Sequence, residues 1–160
     1  MSKAPAACHP LYTTMPLWEL EVSSISKMEI TLGTALDNLE ARTGHSPFTK
    51  DYSHNAGEGG DLTILLKDLN TSFADTAVNQ KKAAVLKNSL ESLREGVSRL
   101  SKLCPETEAD GDQIHGQIDV LLSIVEQKIL YLQGLEKRCQ VQLSYVSHSN
   151  YGHDNFEIPG

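Results

Sequence analysis

The chain is poor in aromatic residues, which make up 6% of its 160 positions. Its hydrophobic residues, 39% of the chain, are therefore largely Leu, Ile, Val and Ala. Aromatic side chains are enriched in strands, whereas Leu and Ala favour helices. The composition therefore favours helices over a β-sandwich, in a chain whose length suits one domain.

Cysteine is scarce as well. Cys8, Cys104 and Cys139 are an odd number, and no two of them have Cys-x-x-Cys spacing. This argues against both a disulfide framework and a cysteine zinc site. A reducing compartment fits such cysteines, so we expect a cytoplasmic protein.

Long hydrophobic runs are also missing. No apolar run approaches the roughly 18 residues of a membrane span, and residues 1–8 lack the apolar stretch of a secretory signal. We therefore expect no direct membrane insertion, so that any association with a membrane would go through a partner.

Positive charge is in the minority, with 14 Lys and Arg against 21 Asp and Glu, a net charge of −7 and a pI of about 5.3. An acidic surface repels phosphates, so we expect no nucleic-acid partner. The densest basic cluster shares its predicted helix with Glu91 and Glu95, as a solvated helical face does. That cluster consists of Lys81, Lys82, Lys87 and Arg94.

Helical periodicity is what the chain has in abundance, and the first periodic segment covers about residues 16–43. Pro16 suits the opening turn of a helix, and Gly44 stands where a C-terminal cap belongs. Its predicted core positions are Leu17, Leu20, Ile25, Met28, Leu32, Leu36 and Leu39.

The second segment covers about residues 61–104, from an N-cap at Asp61 to the residue before Pro105. From Leu86 onward its apolar residues alternate between spacings of four and three, which is a heptad seam. The pattern thins between Thr76 and Lys82, where we predict an interruption, because such a helix is much longer than is typical. Its predicted core positions are Leu62, Leu65, Leu66, Leu69, Phe73, Ala77, Leu86, Leu90, Leu93, Val97, Leu100 and Cys104.

The third segment, about residues 112–147, follows a short acidic turn and should therefore pack antiparallel to the second. We predict an all-α fold, an elongated antiparallel bundle of three long helices, coiled-coil-like, over residues 16–147. Residues 1–15 would form an N-terminal extension and residues 148–160 a flexible tail. The predicted core positions of the third helix are Ile114, Ile118, Leu122, Val125, Ile129, Leu132, Cys139, Leu143 and Val146.

The acidic turn is the most tempting metal site. Its carboxylates stand at alternate positions before a glycine, as at the start of an EF-hand calcium loop. However, the first position is Glu106 rather than Asp, and the twelfth is Gln117, where a bidentate Glu is required. We instead predict an acidic turn that favours the N-terminus of the next helix and binds Mg²⁺ or Ca²⁺ weakly at most. The residues are Glu106, Glu108, Asp110, Gly111 and Asp112.

Other candidate sites are weaker. His148 and His153 with Asp154 could bind a metal if the tail folded back, but an unstructured tail is the favoured prediction. The glycine-rich run at 57–60 lacks the Gly-Lys-Ser/Thr ending of a phosphate loop and is predicted to be a linker. The remaining histidines, His9, His45, His54 and His115, form no His-Glu-x-x-His motif.

Nucleophilic catalysis needs a nucleophile beside an oriented base, and helical seams leave little room for such a cleft. We therefore predict no catalytic, cofactor-binding or metal-binding residues, and a protein that is not an enzyme.

Several short motifs, taken in order, resemble a stretch of fungal CorA-like magnesium-transporter proteins. They are His9-Pro10-Leu11, Pro16-Leu17, Glu19-Leu20-Glu21, Leu39 to Gly44, Asp61-Leu62-Thr63, Leu66, Leu69-Asn70, Leu132 to Arg138, Val141-Gln142-Leu143, Tyr145 and Asp154-Asn155. The resemblance spans about residues 9–155. It implies a cytoplasmic stalk or regulatory region.

The N-terminal α/β portion, the two membrane helices expected after about Asn155 and the Gly-Met-Asn pore motif of that family are absent. No transport residue can be carried over, and the chain alone is not expected to conduct ions.

Two functions are expected from these observations. The first is a non-catalytic stalk or regulatory module that assembles with copies of itself or with a membrane-embedded transporter. The second is a stand-alone scaffold or adaptor that binds a helical protein partner through its apolar seams. Two apolar segments of about 20 residues encoded directly downstream would favour the first function.

Overall fold

A computed structural model describes residues 9–43 and 62–153. Within these ranges every residue is helical except His9, Pro10, Leu11 and Cys104. The three long helices pack against one another without any strand in the described ranges, which confirms the predicted all-α bundle. They are α1 (Met15–Thr43), α2 (Leu62–Leu103) and α3 (Glu108–His153), with short 3-10 helices at Tyr12–Thr14 and Pro105–Thr107.

The bundle divides into two compact units, and each long helix contributes to both. In unit 1, α2 and α3 are antiparallel as predicted, since Lys87 pairs with Glu126 while the later Ser98 meets the earlier His115. In unit 2, α1 and α3 are parallel. Of the described residues, unit 1 contains 9–27 and 81–130, and unit 2 contains 28–43, 62–80 and 131–153.

The third helix is longer than predicted at both ends. It begins at Glu108 rather than near residue 112, because carboxylates in the first turn favour a helix N-terminus. It also continues to His153, so residues 148–153 are helical rather than part of a flexible tail. The predicted linker at 57–60, the caps predicted at Gly44 and Asp61 and the remainder of the tail lie outside the described residues.

The predicted interruption of α2 is wrong, because the helix is continuous from Leu62 to Leu103. The heptad seam passes through the region where the apolar pattern thins, but small and polar residues occupy it there. Thr76 donates its hydroxyl to the Ser72 carbonyl at 2.7 Å, and the Asn79 side chain donates to the Asp75 carbonyl at 2.8 Å. The buried seam residues are Leu65, Leu69, Ser72, Thr76, Asn79, Ala83, Leu86, Leu90 and Val97.

The core of α1 differs from the prediction near its start. Ile25, Leu36 and Leu39 are buried as predicted, but Leu17 and Leu20 are 64% and 63% exposed. In their place the structure buries Met15 and Val22.

The core of α3 is largely the predicted one. Ile129 and Leu143 are only half-buried, while Leu121, Leu135 and Gln142 are buried without having been predicted. The correctly predicted buried residues are Ile114, Ile118, Leu122, Val125, Leu132, Cys139 and Val146.

The predicted N-terminal extension packs into unit 1 over its described part. His9 is 1% exposed, and its backbone N–H donates to Asp110 Oδ2 at 3.1 Å. The Leu11 N–H donates to His9 Nδ1 at 3.2 Å, and Tyr12–Thr14 form a helical turn that leads into α1. Residues 9–14 are therefore an ordered part of the bundle.

In the parts of the chain that the structure describes, none of the helices combines the length and the apolar character that crossing a membrane requires.

Candidate interaction surface

Unit 1 contains an open groove of about 300 Å³ between the start of α1 and the C-terminal half of α2. We call it the Leu17 groove. Its lining is mostly hydrocarbon, with one hydroxyl and one carboxylate. The residues that line it are Leu11, Thr14, Leu17, Trp18, Glu21 and Leu93.

The α1 wall of the groove is a stripe along one side of the helix. Thr14, Leu17, Trp18 and Glu21 are spaced as neighbours across successive turns. The buried residues Met15 and Val22 face inward, which leaves Leu17 on the outside. The exposure of Leu17 thus follows from the way in which α1 is rotated against the core.

The segment before α1 lies along the same groove and is held in place by hydrogen bonds. Leu11 is part of the lining, and its carbonyl accepts a hydrogen bond of 2.7 Å from the Thr14 hydroxyl. Its N–H is bound to the buried His9, which is itself bound to Asp110 on α3. Because Leu11 is fixed from both sides, this part of the groove is preformed.

The electrostatics of the groove are simple. Glu21 is the one charged side chain among the described residues that line it. The neighbours of Leu93 one helical turn away are Ser89, Leu90, Gly96 and Val97, all uncharged. The groove therefore presents an apolar floor with a single negative charge at its edge.

The lining does not pair a nucleophile with a base. Its only hydroxyl, on Thr14, donates to the Leu11 backbone carbonyl rather than to the one basic group of the lining, the Glu21 carboxylate. Nucleophilic catalysis requires such a base within hydrogen-bond reach. What the lining can do is cover apolar side chains of another molecule.

The acidic turn is helical, which differs from the open loop of an EF-hand. Glu106 lies in the 3-10 helix, and Glu108 and Asp110 lie in the first turn of α3, inside the helix rather than in a turn that precedes it. A Cβ atom at Gly111 would collide with the Ser101 hydroxyl, so Gly111 allows α3 to approach α2 closely. In the described ranges no cluster of three or more His, Cys, Asp or Glu residues could hold a metal ion.

The histidines and cysteines are dispersed. His115 Nε2 lies 3.1 Å from the Ser98 hydroxyl, and His148 Nδ1 lies 2.8 Å from the Ser144 carbonyl. Cys104 and Cys139 are free thiols, and burial raises the pKa of Cys139. His153 is the last residue of α3. The candidates that fall outside the described residues are Cys8, His45, His54, the glycine run 57–60 and Asp154.

The basic cluster is a solvated helical face, as predicted. Lys81 and Lys82 are exposed, while Lys87 Nζ lies 2.8 Å from Glu126 Oε1 and Arg94 Nε lies 3.4 Å from Asp119 Oδ1. The hydrogen bond to Glu126 raises the pKa of Lys87. Two of the four cations are thus paired with α3.

Unit 2 contains a buried ion pair that sequence reasoning missed. Arg138 donates from Nε and Nη2 to the two carboxylate oxygens of Glu40 at 2.9 and 2.7 Å, and from Nη2 to Asp37 at 2.6 Å. The Thr43 hydroxyl donates to Gln142 Oε1 at 2.8 Å. These contacts join α1 to α3 about 100 positions away in the sequence, a pairing that periodicity cannot reveal. Because the groups are bonded to one another, we assign them a structural role.

The chain matches no family model, no curated protein and no solved structure. The resemblance to CorA-like proteins is therefore neither supported nor opposed by these comparisons, and it stays a prediction.

Proposed function

We propose that the protein is a non-catalytic helical scaffold or adaptor that binds a protein partner through the Leu17 groove. The observation that carries this proposal is the exposure of Leu17, at 64%, inside a preformed apolar groove. Burying one such side chain contributes about 1.5–3 kcal/mol. Apolar surfaces of this kind mark sites of interaction when they are contiguous rather than scattered.

Both functions expected from the sequence need such a surface. In a stalk or regulatory module the occupant would be a transporter or another copy, and in an adaptor it would be an unrelated protein. The groove supports the shared element, a binding surface for protein. The stalk function rests on the resemblance alone. A cytoplasmic location is part of the proposal, supported by the free thiols of Cys104 and Cys139.

Trp18 makes the proposal directly testable. It is the only tryptophan in the chain and it lines the groove. A short alanine-based helical peptide with two leucines four positions apart and neutral flanks should shift the Trp18 emission to the blue in a saturable manner. Leu17→Ser should weaken this binding strongly.

Leu130→Ser is the matched control, because Leu130 is equally exposed, at 67%, but lies on α3 outside the lining. It should leave the titration unchanged. If the peptide caused no shift, or if both substitutions weakened binding to the same extent, the groove would not be the binding surface.

A further inference from the structure

We infer that the partner presents an amphipathic helix to the Leu17 groove, with aliphatic anchors and a Lys or Arg that meets Glu21. This inference rests on the proposed function and specifies the chemistry of the occupant.

The walls of the groove favour a helix over an extended peptide. Both long walls are helices, whose backbone groups are bonded within each helix, so an added strand would find no free sheet edge. Trp18 is the one aromatic residue in the lining, whereas polyproline segments dock on several aromatic rings. The stripe from Thr14 to Glu21 covers about two turns, and a partner helix with anchors four positions apart matches that length.

The charge at the groove selects a basic partner. Glu21 lines the groove, and α1 contains no Lys or Arg before Lys27. On α2, the nearby cation of Arg94 is paired with Asp119 of α3. A helix with a Lys or Arg beside its anchors would satisfy Glu21, whereas a Glu there would be repelled.

The same charge argues against a second copy that docks by the same face. In a symmetric dimer the groove would face its own equivalent, and one interface would then hold two Glu21 carboxylates with no cation from either groove lining. Like charges in such an interface oppose association. A different protein is therefore the occupant that the groove favours.

Two further versions of the leucine peptide test this inference, one with Lys and one with Glu at the positions that flank both anchors. Trp18 emission reports the binding of each. The Lys peptide should bind about two- to fivefold more tightly, the scale of one exposed ion pair. Glu21→Lys should reverse the order. Glu19→Lys makes the same change in net charge but lies outside the lining, and it should preserve the order.

The outcomes separate the inference from the proposed function. Equal binding of the two peptides to the native chain, or equal effects of the two Glu→Lys variants, would overturn the basic-partner inference and leave the groove as a docking surface. Failure of every peptide to bind would overturn the proposed function. Self-association of the protein without peptide, abolished by Leu17→Ser, would identify a second copy as the occupant and overturn the inference.

Discussion

Glu40 is a carboxylate buried to 2% exposure, and its charge is balanced by Arg138. Hydrogen bonding to Glu40 raises the pKa of Arg138, so the guanidinium stays charged throughout the accessible pH range. Such a pair contributes little net stability, because the cost of desolvating both charges offsets their attraction. Removing one partner, however, leaves an unpaired charge in the core.

We therefore predict that Arg138→Met will lower the free energy of unfolding by about 3–5 kcal/mol. The double variant Glu40→Leu with Arg138→Leu should recover most of this loss, because no unpaired charge remains buried; Asp37, which also loses Arg138, is 67% exposed. Urea titrations followed by far-UV circular dichroism measure both. A double variant as unstable as Arg138→Met would show that the packing of Arg138, rather than its charge, stabilises unit 2.

Cys139 offers a prediction on pH dependence. Burial raises its pKa above the ordinary value of 9.0, so the folded chain holds the thiol proton more tightly than the unfolded chain does. The contribution of the thiol to stability is therefore present below about pH 9 and falls as the pH rises above it. Cys139→Ala should reduce the loss of stability above that pH in thermal unfolding. If Cys139→Ala left the fall of thermal stability above about pH 9 unchanged, the raised pKa of Cys139 would be contradicted.

At the scale of the element, the seam of α2 defines what sequence could and could not predict. The helix ends at Leu103, within a residue of the predicted end, because Pro105 cannot continue the helix. The prediction for the middle of the helix is wrong because polar residues occupy the seam there. They are Ser72 and two residues whose side chains donate to the backbone of their own helix, Thr76 and Asn79. A search for hydrophobic residues alone does not find these polar seam positions, although they continue the alternating spacing of four and three residues.

At the start of α1 the error is the opposite one, because exposed hydrophobic residues are predicted to be buried. Leu17 and Leu20 were assigned to the core for their hydrophobicity, but the step from Leu20 to Ile25 is five residues, which breaks the period. The series Met15, Val22 and Ile25 keeps it, and these residues are buried. The groove could thus be predicted in part from the spacing. The burial of His9 could not, because it depends on a contact with Asp110 about 100 positions later.

Two substitutions on α2 distinguish a buried position of its seam from the seam position that lines the groove. Leu90 is fully buried, whereas Leu93 is half-buried and lines the groove. Leu90→Asp should unfold unit 1, because a buried unpaired carboxylate costs several kcal/mol, comparable to the stability of a domain. Leu93→Asp should cost about 1 kcal/mol, since its carboxylate can reach water. Equal thermal destabilisation by the two variants would place Leu93 in the core.

At the scale of the whole molecule, charge and exposed hydrocarbon act against each other. The net charge of −7 repels other copies at pH 7. Several large apolar side chains besides Leu17 are exposed in the described ranges, among them Leu20, Ile30 and Leu130. Repulsion is therefore one factor that limits association of these surfaces.

We accordingly predict that the average mass in solution will rise as the pH is lowered from 7 towards the pI of about 5.3, where self-repulsion vanishes. Static light scattering at several pH values measures this. High salt at pH 7 should have a similar effect, because it screens the same charges. Leu17→Ser should reduce the rise near the pI no more than Leu130→Ser does, since each variant removes one of several exposed apolar side chains. A mass that does not change with pH or salt would mean that charge is not what keeps the copies apart.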